Sequence, residues 1–136
     1  MELFAATSAG GDAWDDFGEP TTLWSGAGAA DFPAVAAGPA AGDFRVVWQA
    51  ATDGGQNRWN TWVQETSDGG ETWRDSPLRL SDQANGASYK HAEGYAFPYG
   101  DYLGLAVDGE GVAHAIWGEG PSWDGPGGTW STRQAP

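Results

Sequence analysis

A chain of 136 residues is long enough for one small domain. Nineteen Asp and Glu against six Lys and Arg give a formal charge of −13, which argues against nucleic acid and anionic membranes as partners, because both need Lys/Arg patches. The absence of Cys excludes disulfides and thiolate metal sites, and no apolar run approaches the ~20 residues of a transmembrane helix.

The chain then reads as short strands in order. Met1-Glu2-Leu3-Phe4-Ala5-Ala6-Thr7 carries no basic segment and is not read as a signal peptide. Residues 2–8 predict a strand entering a turn at 9–11, and 13–24 return as a second strand, with Pro20 suggesting an edge or bulge. Residues 25–31 are a connection. A small-residue strand follows at 32–37, a turn at 38–43, and a β-rich buried strand at 44–50. After a loop at 51–58, residues 59–67 lead into a turn at 68–70, and 72–81 complete the group. Residues 82–100 read as a long connection. Strands resume at 102–107 and 112–117, joined by Asp108-Gly109-Glu110-Gly111, and the last strand runs through Thr129-Trp130 to Arg133.

The turn at 68–70 belongs to the stretch Ser67-Asp68-Gly69-Gly70-Glu71-Thr72-Trp73. Adjacent glycines permit positive φ, and Asp68 can accept from the turn's own N–H groups. Ser8-Ala9-Gly10-Gly11-Asp12-Ala13-Trp14 repeats the pattern at a constant offset of 59, from Ser8 to Ser67 and from Trp14 to Trp73, and Thr7 matches Thr66. A second set of offsets relates 102–107 to 32–37, Trp117 to Trp48 and Trp130 to Trp62. Self-similarity of this kind is the mark of repeat architectures. It predicts three antiparallel groups of two, four and three strands.

Ser67-Asp68-Gly69-Gly70-Glu71-Thr72-Trp73 resembles an Asp-box, or BNR repeat, of the sialidases and other β-propellers; the copy at 8–14 has Ala9 where the Asp would stand. The resemblance implies an all-β fold, an incomplete propeller of four-stranded antiparallel blades. Residues 1–24 would supply strands 3–4 of one blade, 32–82 a complete blade, and 102–135 strands 1–3 of the next. It further implies a C-terminal portion of a longer extracellular or cell-surface protein. The implied activity is that of an exo-α-sialidase, a glycoside hydrolase acting on terminal sialic acids. The alternative is a non-catalytic propeller module that binds glycans or protein partners.

In such blades the Asp-box turns share one face with the 1→2 turns, and the site lies at the other. That face collects 25–31, 51–58, 82–101 and 118–128, where polar and aromatic loop residues sit on a rigid scaffold. By resemblance, Tyr99 or Tyr102 would be the nucleophile, with Glu93 its partner and Asp101 the acid/base. Arg58, Lys90, His91, Tyr95 and Trp123 would contact a glycan or sialoglycoconjugate. Asp53, Glu119 and Asp124 share the same loops. Arg58 is the single arginine expected on that face, whereas Arg45, Arg74, Arg79 and Arg133 fall on expected strands, and the sialidase Phe-Arg-Ile-Pro motif is missing. An incomplete arginine clamp predicts that this chain alone does not hydrolyse sialosides. No cofactor or metal is expected, since the acidic turn 108–111 lacks the twelve-residue calcium-loop pattern. Two uncovered blade faces predict a homo-oligomer.

Overall fold

The computed structural model describes residues 2–8, 16–52, 58–81, 90–91, 94–95, 102–120 and 128–134. Every regular element among them is a β-strand, and every pairing is antiparallel. Strands β1 (Leu3–Ala5) and β2 (Thr21–Trp24) form a two-stranded sheet. Strands β3 (Ala30–Ala37), β4 (Phe44–Ala51), β5 (Trp59–Thr66) and β6 (Leu78–Arg79) form a four-stranded sheet in chain order. After the small hairpin β7 (Lys90–His91) and β8 (Gly94–Tyr95), strands β9 (Leu103–Val107), β10 (Ala113–Glu119) and β11 (Gly128–Arg133) form a three-stranded sheet with β10 in the middle.

The expected groups of two, four and three strands are therefore present, with three departures. The segment expected to be a plain connection contains the β7–β8 hairpin, in which Lys90 pairs with Tyr95 and His91 with Gly94. The strand expected over 72–81 shrinks to Leu78–Arg79, because the Asp68 turn and the chain leaving it occupy 68–77. Arg74 accordingly lies off any strand. The strand expected over 13–24 is regular at Thr21–Trp24 alone among the described residues, directly after Pro20. The turn expected at 9–11 lies outside the described residues.

Strand β4 organises the packing. A strand buried on both faces needs a near-continuous apolar run, and Val46 through Ala51 are all buried. Val46, Trp48 and Ala50 point one way, into a cluster with Leu23 of β2 and with Leu3, Trp24 and Trp62. Trp24 stands 4.9 Å from Trp62 and 6.2 Å from Trp48 between ring centroids, within the range of favourable aromatic pairs. Val47 points the other way, into a cluster with Ala115 and Trp117 of β10 and with Leu105 of β9. The four-stranded sheet is thus covered on one face by the two-stranded sheet and on the other by the three-stranded sheet.

The first cover is partial. Val35 of β3 pairs with Val46 and shares its face, yet it is 67% exposed, because the two strands of the first sheet lie over β4 and do not extend across this part of β3. The same strand carries a register shift between Asp31 and Ala34, where Phe32 takes φ of 58° ahead of Pro33. Proline cannot donate to a ladder, and a bulge accommodates it.

Two ends follow from the strand directions. At one end the β3–β4 turn meets the Asp68 turn, with Gly69 N–H donating to Gly42 O at 2.8 Å. A Cβ on Gly111 of the β9–β10 turn would lie 3.6 Å from Pro39, and one on Gly70 would lie 2.8 Å from Thr7. The opposite end gathers residues 25–29, 52, 58, 102 and 118–120, where Ala51 N–H bonds Ala29 O and Thr52 N–H bonds Arg58 O.

Candidate functional site

The turn at 67–73 is held by one carboxylate. Asp68 Oδ1 accepts from Thr72 N–H at 2.9 Å and from Thr66 Oγ1–H at 2.7 Å, and Oδ2 accepts from Thr72 Oγ1–H at 2.5 Å. Thr66 Oγ1 in turn accepts from Gly70 N–H at 3.1 Å. Gly69 and Gly70 adopt φ of 78° and 92°, a conformation that glycine alone takes without strain. The Thr72 hydroxyl is the first cause, ahead of the Thr72 amide and Thr66, of a carboxyl pKa lowered to about 2, since each bond favours the charged form. The exit of the turn is fixed by Gln64 Nε2 donating to Arg74 O at 2.8 Å and Arg74 N–H to Glu65 O at 3.1 Å. This seats Trp73 against the Leu23–Trp48 cluster. The Asp68 carboxylate serves the turn itself, and the Gly69 N–H ties the turn to Gly42, so its role is structural.

The β9–β10 turn is built on the same logic. Asp108 Oδ1 accepts from Glu110 N–H at 3.0 Å and Val112 N–H at 2.9 Å, while Oδ2 lies 3.0 Å from His114 Nε2. The bond to His114 leads the causes that hold the Asp108 carboxyl below its usual range. The carboxylate caps its own turn, and among the described residues no group of three or more His, Asp or Glu converges as a metal site.

At the loop end, Tyr102 is 76% exposed and immediately precedes β9. Arg58 is exposed and precedes β5, its carbonyl taking the Thr52 N–H at 2.9 Å and the Thr52 hydroxyl at 3.2 Å. Glu119 closes β10 with 2% of its surface exposed; its Oε2 accepts from Trp117 Nε1 at 2.8 Å and its carbonyl from Trp130 Nε1 at 3.1 Å. Gln49 Nε2 reaches across from β4 to Gly118 O at 2.9 Å, tying the two larger sheets together below this end. Lys90, His91 and Tyr95 are placed by the β7–β8 backbone register alone. Glu93, Tyr99, Asp101 and Trp123, with Asp53 and Asp124, lie outside the described residues.

Of the sequence-derived candidates, the described structure therefore brings Tyr102 and Arg58 to the same end. It takes the other arginines elsewhere. Arg45 and Arg74 stand at the end of the Asp68 turn, where Arg45 pairs with Asp43 and with Glu65 at 3.3 Å, and Arg74 with Glu65 at 3.5 Å. This ion chain is the polar cluster that sequence reasoning missed. Its signal was the cross-strand register, which sets Arg45 opposite Glu65 and is invisible until β4 and β5 are paired. A cleft of about 270 Å³ opens beside it between the four-stranded and three-stranded sheets. Comparison with family models, curated proteins and solved structures finds no match to this chain.

Proposed function

We propose that this chain is an arc of an Asp-box β-propeller, with its sheets as blades, and that its loop end recognises a glycan without hydrolysing it. Support for the arc comes from the stack of antiparallel sheets and from the Asp68 turn, whose carboxylate is engaged by Thr66 and Thr72 of the turn itself. One observation carries the functional reading: the arginines are distributed away from the loop end. Sialic acid recognition by a hydrolase calls for convergent arginines on the sugar carboxylate. Among the described residues Arg58 is the one arginine at the loop end, while Arg45, Arg74 and Arg133 stand toward the opposite end and Arg79 pairs with Trp62, midway along β5. Tyr102 offers an exposed aromatic face for stacking on a sugar ring.

The test measures two things on the same preparation. We expect sialyllactose or lactose to perturb the intrinsic fluorescence, with Tyr102→Ala weakening that binding ~10-fold, the equivalent of about 1.4 kcal/mol. We also expect no release of aglycone from an aryl sialoside. Turnover that disappears in Tyr102→Phe would replace this reading by the sialidase-type hydrolase. Absence of any glycan response would leave the protein-binding form of the propeller module.

A further inference from the structure

We propose that the free edge of β11 takes up one more β-strand from a partner polypeptide, an extended segment alternating apolar and acidic residues. The chain itself supplies the comparison. In the four-stranded sheet, β6 lies outside β5; in the three-stranded sheet, no described strand pairs with the outer edge of β11. The edge is chemically ready. Gln134 N–H donates to Ala113 O at 2.8 Å. The alternation of an antiparallel ladder then turns the N–H and C=O of Thr132 toward β10 and those of Ser131 and Arg133 outward. Such groups template pairing with another chain.

The side chains beside the edge say which strand fits. Thr132 is opposite Ala115 and shares its face, toward the four-stranded sheet. There the cleft of about 270 Å³ is walled by Val63, Leu78 and Leu80 on one side and by Leu105, Ala115 and Thr132 on the other. Leu78 is 46% exposed although its register partner Val63 packs in the second cluster, so apolar surface awaits cover at this spot. Residues of an incoming strand that face the cleft must therefore be apolar. Arg133 is opposite His114 and projects from the other face. Its guanidinium makes no hydrogen bond or ion pair among the described residues. Alternate residues of the incoming strand fall beside Arg133, where a carboxylate is matched.

Charge selects the partner. The molecule carries −13, yet Arg45, Arg74 and Arg79 border this cleft against one carboxylate, Glu65, and Arg133 stands beside the same edge on the other face. An acidic segment is attracted here and repelled elsewhere. Strand addition with alternate side chains in a pocket is an established mode of peptide recognition.

The test uses the full chain and a fluorescein-labelled peptide of alternating valine and glutamate, with a valine–lysine peptide as its counterpart, read by anisotropy at physiological salt. The glutamate peptide is expected to bind and the lysine peptide not. Ser131→Pro removes an outward N–H without touching the β10 ladder, and is expected to weaken binding at least ~10-fold with an unchanged melting temperature. Arg133→Glu, which leaves the backbone intact, is expected to reverse the preference toward the lysine peptide. Equal binding of both peptides, or binding indifferent to both substitutions, would overturn the proposal. So would self-association abolished by Ser131→Pro, which would make the occupant a second copy.

Discussion

Asp68 shows how one side chain can hold a turn. Its role as acceptor for the turn's own amides was legible from its place before two glycines, whereas the partnership of Thr66, which the offset of 59 matches to Thr7, emerges only in the folded turn. The depressed pKa makes a pH prediction. A carboxyl held at about 2 when folded, against ~3.9 when unfolded, stabilises the fold above the unfolded value and ceases to do so as pH falls through the folded one. We expect Asp68→Asn to melt at a lower temperature than the parent at neutral pH, and the two melting curves to converge between about pH 4 and about pH 2. A constant separation down to pH 2 would place the stabilising charge elsewhere. Trp73 belongs to the same scale. Its ring is partly buried on the Leu23–Trp48 cluster, so Trp73→Ala should cost ~2–3 kcal/mol, below the ~3–5 kcal/mol of a fully buried aromatic. Denaturant titration of the two proteins checks this.

Among the elements, those with strong patterns were readable and those made by tertiary context were not. Strand β4 announced itself through Phe44-Arg45-Val46-Val47-Trp48, whose buried run reflects cover on both faces. Strand β6 was overestimated because the turn before it is stabilised by its own side chains and consumes residues that propensity would assign to the strand. The β7–β8 hairpin escaped because Lys90-His91-Ala92-Glu93-Gly94-Tyr95 has neither alternation nor a turn dipeptide. The placing of Tyr102 and Arg58 at one end follows from the strand order read in the sequence, whereas the Arg45–Glu65–Arg74 chain was not legible, because it exists only in the register of β4 on β5. Contact between turns is likewise a tertiary fact with a consequence. Gly42 has φ of 81°, and a Cβ there would stand 2.8 Å from Gly69 N, the atom that bonds Gly42 O. Gly42→Ala must strain its own backbone and push the Asp68 turn away, so a loss of more than ~1 kcal/mol is expected. Exchange of the Gly69 amide should accelerate in the same variant, and an unchanged rate would show that the two turns are energetically independent.

At the scale of the molecule, the three sheets stack with both outermost faces open. Beyond β1 and β2 the exposed large apolar residues include Phe4 and Phe17; beyond the three-stranded sheet they are Tyr102 and Ile116, the latter 50% exposed. Ile116 pairs with Ser131 and Gly104, so nothing bulky on the neighbouring strands shields it. Contiguous patches of this kind favour association at about 25 cal/mol per Å² buried. The opposing term is the charge of −13, and its reach shrinks with salt, from ~30 Å at 0.01 M to ~8 Å at physiological ionic strength. Short-range burial is unaffected by that screening, so the balance tips toward association as salt rises. We therefore predict that sedimentation velocity shows mostly monomer at low salt and a growing population of larger species at physiological salt. Ile116→Lys adds a charge in the middle of one face and should return the chain to monomer at both ionic strengths, while leaving the melting temperature nearly unchanged because the side chain points away from the core. A sharp monomer at both salts in the parent chain would mean that the outer faces are too small or too polar to associate, and the account of the stack as an open arc would fail with it.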